Sequence, residues 1–522
     1  MSGTSYEFDV LIIGTGVAGL SCAATLAEKG LRIGLVTREK DPKITNTFWA
    51  QGGIIYTKND ETLVSDIQKA SAYTSSEATA QMLSDREGKI IDDLLIAKAQ
   101  TQFERDEEGK LKYTNEAAHS HSRILFRGDF TGREIQVSLL NYLNNQTRFP
   151  NVSILAGHTA IDLLTPVHHG KKIEQRYEEN KVIGAYVFNQ ERGKVVKVMA
   201  KKTVLATGGI GALYLHHSNA EGARGDGHAM AKRAGATLIN MEFIQFHPTT
   251  FFDKSSHRRF LISEAIRGEG GVLLNSKGEA FMGKYHPDRE LAPRDVVARS
   301  IDEEMIETKH ECVYLDITHK DPKWIQDRFP TIYHHCLEKG VDITEQKIPV
   351  VPAAHYTCGG VKTDLQGKTD LKNLYAVGEV ACNGLHGANR LASTSLAEGL
   401  TWGVISAENI LEEIGECEQY SSNFINDWIE STVPADLALI HQDWLTLKQT
   451  MWNYVGLTRT STRLKRAQAM FRELYDEIQK FYKDARLHDE LIGLRNAVEV
   501  ASSVLGASRR NRNSIGCFYR KD

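Results

Sequence analysis

The chain of 522 residues has few cysteines, no run long enough to cross a membrane and no excess of one charge. Its seven cysteines (Cys22, Cys312, Cys336, Cys358, Cys382, Cys417 and Cys517) form no CxxC pair and are odd in number. That excludes a disulfide framework and an in-chain iron-sulfur ligand pattern, and it points to a reducing compartment. Lys and Arg total 63 against 67 Asp and Glu, a net charge of -4, so no broad basic surface awaits nucleic acid. No segment approaches the roughly 18 apolar residues of a membrane span. The opening "MSGTSYEFDVLIIGTG" has no basic n-region, so it reads as a buried strand rather than a signal peptide. The expected location is the cytoplasm. There is no long repeat and no low-complexity linker. What remains is an ordinary globular balance, 41% hydrophobic and 25% charged. At roughly 100–200 residues per domain, the length suggests about three domains.

Phe8 to Ile13 is a short apolar run followed by Gly14, Gly16 and Gly19. A helical pattern then runs to Gly30, and "LRIGLVT" reads as a second strand. This strand-turn-helix-strand opening predicts a Rossmann-like, doubly wound α/β domain. Residues 59–100 and "TGREIQVSLLNYLNNQT" read as helices, 104–121 as a charged loop. "VSILAG", "VIGAYVFN" and "KVVKVMAKKTVLATGG" read as strands. The βαβ rhythm is lost between about 240 and 350 and returns at "NLYAVGEV". The expected organisation is a discontinuous dinucleotide domain (1–240 and 353–421), an inserted α+β capping domain (241–352) and a helical C-terminal domain (422–522). In the last, Leu464, Ala467, Phe471, Leu474, Ile478 and Phe481 recur at three- and four-residue steps, one apolar stripe of a packed helix.

Gly14-Thr15-Gly16-Val17-Ala18-Gly19 is a GxGxxG turn between strand and helix. Its glycines permit a tight turn, approach of a pyrophosphate, and close helix-strand packing, with the helix N-terminus facing the phosphates. The acidic residue usual at the end of the second strand is absent, since that strand runs into Thr37 and Arg38. This weakens a reading as an NAD site and leaves FAD. "LATGGIG" and "NLYAVGEV" add two more strand ends with glycines, the second carrying Glu379, a carboxylate suited to ribitol hydroxyls. Asp226 in "ARGDGHAMAKRAGA" suits either a ligand contact or a helix N-cap.

The order GTGVAG, AQGG, LATGG, RGDG, QFHP, APRD, PAAHYTCGG, GEV and GANRLAS resembles the flavoprotein superfamily of fumarate reductase and succinate dehydrogenase, over nearly the whole chain. Within it the chain is most similar to the branch that oxidises an amino dicarboxylate. That branch transfers hydride to FAD, is reoxidised by O2 or fumarate, and opens de novo NAD synthesis. The alternative is a soluble enzyme of the fumarate reductase or succinate dehydrogenase type. The resemblance implies that FAD lies against Asn46, Thr47, Phe48, Trp49, Ala50, Gln51, Gly52 and Gly53, with Phe48 and Trp49 packing rather than stacking. It further implies FAD contacts from Asp226, Glu379, Ser395 and Leu396, the last two opening a helix toward the flavin. Asn46 stands where membrane-bound relatives carry a His bonded covalently to flavin, so the FAD here is expected to be non-covalent.

A bound amino dicarboxylate needs Arg forks or donors for two carboxylates and a carboxylate for its ammonium. The resemblance assigns the carboxylates to His247, Ser263, His355 and Arg390, and the acid/base position to Arg294. A guanidinium stays protonated, so Arg294 is read first as electrostatic stabiliser and proton donor. Glu116, in "NEAAHSHSRIL", matches the family position that orients the ammonium. The rival for that stretch is a metal site from Glu116, His119 and His121, but no further ligand cluster completes one, and no metal is expected. The expected partners are L-aspartate, fumarate or O2 as small molecules, with quinolinate synthase as a pathway neighbour. Near its end the family often carries an ESRG-containing segment; "RNSIGCFYRKD" replaces it here.

Overall fold

In a computed structural model, the first apolar run becomes the central strand, Ser5–Ile13, of a seven-stranded sheet. The structure describes residues 5–522 except 59, 61, 117 and 257. Met1 to Thr4, Asn59, Glu61 and Ala117, which fall in stretches read above, lie outside the described residues. Ser5–Ile13 pairs in parallel with Ile33–Thr37 on one side and Lys194–Leu205 on the other; Val152–Ala156 extends the row beyond Ile33–Thr37. Val10, Leu11 and Ile12 are fully buried, because a parallel strand covered on both faces is apolar without alternation.

The far edge of Lys194–Leu205 is used twice. Its first half pairs antiparallel with Gly184–Asn189, and Thr203 to Leu205 receive the parallel strand Leu374–Ala376. The last strand returns from beyond the inserted segment, so the sheet is assembled from two separated stretches of chain. The Val17–Ala27 and Thr394–Glu413 helices pack together on one face, with Leu20, Ala24, Ala397 and Leu400 in one core.

The inserted segment is framed by two long strands, Ile244–Phe251 and Ile348–Thr357, paired antiparallel with an irregularity after His247. Val313–Asp316 and Val272–Leu274 complete a four-stranded sheet, over which Ile266, Val297, Ile301 and Ile325 form a separate core. Three helices follow, Leu437–Val455, Ser461–Asp484 and Asp489–Arg510. The stripe on the middle one is buried as its spacing predicts, Phe481 partly so. The helical region begins at Leu437 rather than near Ser422. Between them lie a short turn at Ser422–Phe424 and irregular chain, until Asp436 caps the helix by accepting from the Ala438 N–H.

The charged loop over 104–121 is also more ordered than its composition suggests. Tyr113–Thr114 joins Ile124–Leu125 and Ile54–Ile55 in a small antiparallel sheet. Among the described residues no helix is long and apolar enough to cross a membrane.

Candidate active site

A cleft of about 1200 Å³ opens where the parallel strands end, lined by Ile13, Thr37, Ala206 and Val377. Strand carboxyl ends are where open α/β sheets bind ligands. The volume exceeds the roughly 300–1000 Å³ of a single ligand pocket, leaving room for a dinucleotide and a small substrate. Gly14 has φ +119°, and a Cβ there would lie 2.1 Å from the Ala206 carbonyl oxygen. A Cβ on Gly19 would lie 2.1 Å from the Gly14 carbonyl oxygen, so this glycine serves helix-strand packing and is off the cleft wall. Thr15, Gly16, Val17 and Ala18 line the cleft. Thr47 Oγ1 accepts from the Val17 N–H at 3.0 Å, and Gln136 Nε2 donates to the Thr15 carbonyl at 2.7 Å. These two residues hold the phosphate turn from outside. Gln136 carries no sequence signal, being one polar residue in an amphipathic helix.

Thr37 is buried at its strand end on the cleft wall. The Arg38 guanidinium is drawn toward the C-terminal helix, donating to Asp489 at 2.9 Å and Glu490 at 3.2 Å, and to Glu39. Glu39 itself lines the cleft. The acidic group missing from the end of the second strand is therefore present one residue past Arg38. Asp226 lines the cleft as the first residue of its helix, with Gly225 in the cap position. Its carboxylate accepts from Arg224 at 3.0 Å and Asn496 at 2.7 Å. Buried Arg224 also reaches Asp489 at 2.9 Å, so this end of the cleft is braced from the C-terminal helix.

Further along, Asn46 Nδ2 donates to Glu379 Oε2 at 3.2 Å, and Asn46 Oδ1 accepts from the Ala220 N–H at 2.8 Å. Glu379 Oε1 accepts from the Thr357 N–H at 2.9 Å, and burial pushes the Glu379 carboxyl up to about 7. Ala50, Gln51, Gly52, Gly53, Ser395 and Leu396 line the wall. Gly53 is also a packing requirement, since a Cβ there would lie 2.1 Å from Ile124 Cγ2. Trp49 reaches the wall with its ring under the Arg258 guanidinium at 3.8 Å. Phe48 does not: its ring meets Trp49 edge-on and faces Arg133, because the short Asn46–Trp49 helix turns it away.

The other end of the cleft is strongly cationic. Arg294 opens the Arg294–Thr308 helix, and its Nε donates to Glu264 Oε2 at 2.5 Å. Buried Arg267 reaches Glu264 Oε1 at 3.4 Å from the other side. Burial works to raise the Glu264 pKa, but Arg294 and Arg267 outweigh it and hold the carboxyl below its ordinary value. Ser263 caps the short Glu264–Gly268 helix, accepting from the Ala265 N–H, and faces the cleft.

His247 and His355 come from the two long strands, with ring centroids 5.7 Å apart. Burial, then nearby Arg294, His355 and Arg267, holds His247 well below its ordinary pKa; burial, then Arg390 and Arg294, does the same for His355. Both are neutral. Ser218 Oγ lies 2.7 Å from His355 Nδ1 and 3.4 Å from the Ala354 carbonyl; when the hydroxyl donates to the ring, the His355 proton is on Nε2. His247 Nδ1 lies 3.0 Å from the Thr249 carbonyl, which can only accept, so this contact favours the proton on Nδ1; the Thr249 N–H is farther, at 3.3 Å. Ser218, in "YLHHSNA", was not legible as a site residue.

Arg390 is buried with two long hydrogen bonds from Nη1, 3.3 Å to the Leu391 carbonyl and 3.5 Å to Ser395 Oγ. Its Nε has no partner among the described residues. The guanidinium lies over the Tyr356 ring at 4.7 Å, and the Tyr356 hydroxyl donates to buried Glu398 at 2.7 Å, itself 2.9 Å from His386. The C-terminal segment braces this loop from behind. The Cys517 N–H donates to the Ala388 carbonyl at 3.0 Å, and Phe518 packs with Phe243 and Tyr356.

Glu116 lines the cleft and accepts from Ser393 Oγ at 2.8 Å. His119 is turned inward to the Ala392 carbonyl, and His121 pairs with Asp60 at 3.1 Å. The three are thus engaged separately, and among the described residues no group of three His, Cys, Asp or Glu is arranged to hold a metal.

The residues present fit a dinucleotide: glycine-lined backbone at the phosphate turn, acidic groups at Glu39 and Asp226, and a half-buried carboxyl at Glu379. Comparisons with known proteins agree. The FAD binding domain family matches residues 9–396, and the fumarate reductase flavoprotein C-terminal family matches 444–522. L-aspartate oxidase 1 of Ralstonia nicotianae is 42% identical, with 99% of this chain and 95% of the relative covered. The L-aspartate oxidase of Pseudomonas aeruginosa is 41% identical over 99% and 96%. Among solved structures, E. coli quinol fumarate reductase FrdA superposes with a TM-score of 0.86 at 26% identity, covering 99% of this chain and 92% of that one.

Proposed function

From the premise that this chain belongs to the L-aspartate oxidase family of FAD-dependent flavoproteins, we propose how its cleft divides the work of oxidising L-aspartate to iminoaspartate. The reaction is the first step of de novo NAD synthesis, with O2 or fumarate as final acceptor. FAD, when bound, supplies the hydride acceptor. Gly14 to Ala18 take its pyrophosphate, Thr37 and Asp226 its adenosine side, Glu379 its ribityl hydroxyls, and Thr47, Ala50 to Gly53, Ser395 and Leu396 its ring system. Asn46, hydrogen-bonded at both ends, offers no group for a covalent flavin link, which supports a dissociable cofactor.

The observation that carries the substrate assignment is charge. Arg294, Arg267 and Arg390 set three positive charges against the carboxylates of Glu264 and Glu116, a surplus of one that matches the single net negative charge of L-aspartate. Arg390 holds one substrate carboxylate. His355, donating from Nε2, and Ser263 serve the carboxylates alongside it, with His247 in the same group. Glu116, across the cleft, takes the ammonium. Arg294 stabilises negative charge at the reacting carbons; in fumarate reduction it donates a proton, and the replacement proton comes from solvent through the ionised Glu264 carboxylate hydrogen-bonded to its Nε. The inserted segment, which contributes Arg294 and Phe329 to the wall, closes the cleft against water.

The division into residues 1–240 with 353–421, 241–352 and 422–522, and a cytoplasmic location, belong to the same proposal. So does delivery of the imine to quinolinate synthase; the support is chemical, because a free α-imine hydrolyses in water. Anaerobic titration of the holoenzyme with L-aspartate and, in parallel, succinate tests the substrate. Bleaching of the flavin by L-aspartate is expected. Bleaching by succinate alone would assign the chain to the dicarboxylate-only enzymes.

A further inference from the structure

We propose that Ser393 is a positioning residue that sets the preference for an amino dicarboxylate, by fixing the Glu116 carboxylate with one oxygen open toward the substrate. The inference rests on the reading of Glu116 as the ammonium site and adds a residue that the motifs do not assign.

Ser393 has φ +56°, a left-handed conformation unfavourable for a side chain other than Gly, Asn or Asp. It occupies the N-cap of the 20-residue Thr394–Glu413 helix, where a serine ordinarily accepts from a backbone N–H two or three residues on. It makes no such bond. Its hydroxyl instead donates to Glu116 Oε2 at 2.8 Å across the cleft wall. A serine held in a left-handed conformation, without its usual cap, is an outlier whose side chain is used elsewhere.

The surroundings make this a fixed arrangement rather than a chance contact. His119 Nε2 donates to the Ala392 carbonyl at 3.0 Å, tying the Glu116 loop to residues 392–393, and the Ile55 N–H, from the neighbouring strand, holds the Ser393 carbonyl at 3.2 Å. The loop is anchored behind by Ser120 and Arg123, whose side chains donate to buried Asp66 at 2.5 and 2.6 Å. Gly52 completes the seat: a Cβ there would lie 2.9 Å from Glu116 Oε1 and 3.5 Å from Ser393 Oγ. Oε1 accepts no hydrogen bond from the described residues and borders the cleft.

The chemistry follows. A neutral hydroxyl holds one carboxylate oxygen and leaves the full negative charge for the ligand. A Lys or Arg at this position would neutralise Glu116 and repel an ammonium. Glu116 and Arg390 line one cleft, and Ser393, which holds Glu116, lies three residues past Arg390 on the same turn. An ammonium on Glu116 and a carboxylate on Arg390 are thus near neighbours, as they are on the α-carbon of an amino acid. Fumarate and succinate carry no ammonium and gain nothing from the seat.

The test uses holoenzyme with Ser393→Gly, which keeps the left-handed backbone without strain, and Ser393→Ala, each alone and with Glu116→Gln. Steady-state oxidation of L-aspartate is compared with dye-coupled reduction of fumarate. Ser393→Gly is expected to lower kcat/KM for L-aspartate about tenfold, the scale of one charge-assisted hydrogen bond, mainly through KM. Fumarate reduction should stay within about twofold, and Ser393→Gly should cost nothing further in the Glu116→Gln background. Equal losses on both substrates, or the full loss repeated beside Glu116→Gln, would overturn the inference. So would an unimpaired Ser393→Gly enzyme when Glu116→Gln is impaired. If Glu116→Gln itself leaves the ratio of the two activities unchanged, the ammonium site is wrong and the inference falls with it.

Discussion

Replacing Glu264 by Gln isolates the charge on which the Arg294 assignment depends. Glu264 sits between two guanidiniums, 2.5 Å from Arg294 and 3.4 Å from Arg267, with its side chain 28% exposed and that of Arg294 24% exposed. Gln keeps the shape and one acceptor oxygen but removes the charge. A hydrogen bond to a charged group is worth about 1.5–3 kcal/mol, and stripping one partner from a buried pair costs about 3–5 kcal/mol. Taking about 2.7 kcal/mol for this half-buried pair, at about 1.4 kcal/mol per decade, turnover is expected to fall about 100-fold. The loss should lie in kcat, because Glu264 acts on Arg294 rather than on a substrate carboxylate. The assay is anaerobic stopped-flow reduction of flavin by saturating L-aspartate, with flavin content taken from the absorbance of the same sample.

The pH dependence has a definite sign. Burial raises the Glu264 pKa, but the two arginines lower it more, so its folded value lies below the unfolded carboxylate value of about 4.3. The pair's contribution is therefore complete above about pH 4.3 and is lost only as pH falls through the lower folded value. The wild-type enzyme should show no acid limb from this group near neutrality. A Glu264→Gln enzyme that keeps its flavin and reduces it at the wild-type rate would refute the role given to the pair.

Four further outcomes are expected. Gly19→Ala should lower both FAD content and thermal stability, since its Cβ would lie 2.1 Å from the Gly14 carbonyl oxygen; thermal melts with and without added FAD measure it. Arg390→Lys should raise KM for L-aspartate about 10- to 100-fold with a smaller change in kcat, because a point charge cannot replace a planar fork stacked over Tyr356. The carboxyl of Glu379, pushed up to about 7, must be ionised to accept best from a ribityl hydroxyl. FAD affinity of the apoprotein should therefore rise with pH below about 7 and level off above it, as fluorescence quenching would record. Acid precipitation should release all flavin into the supernatant, because Asn46 offers no covalent link; colour left in the pellet would contradict this.

Several features were legible from local sequence because their causes are local. The apolar run before Gly14, the glycine spacing and the stripe from Leu464 to Ile478 follow from strand and helix periods and from the space a Cβ needs. The motif order along the chain likewise pointed to the flavoprotein family and to Arg294, His247, His355 and Arg390, all of which line one cleft. Phe48 packs, as expected, against Trp49 and Arg133, but adjacent aromatics do not say which face of a one-turn helix meets the cleft. Arg38 lines the cleft as expected, but its partners, Asp489 and Glu490, lie near the other end of the chain and left no local signal. Gln136 under the phosphate turn, Ser218 behind His355 and the Tyr356, Glu398 and His386 set under Arg390 are single polar residues with no spacing to announce them. The sequence alone determined which chemical groups are available and which segments are strand or helix, since those depend on neighbours a few residues away. Only the tertiary structure decided which group meets His355 Nδ1, where the Arg38 charge is spent, and that a strained serine holds Glu116. Each of these depends on atoms brought within hydrogen-bonding distance from remote parts of the chain.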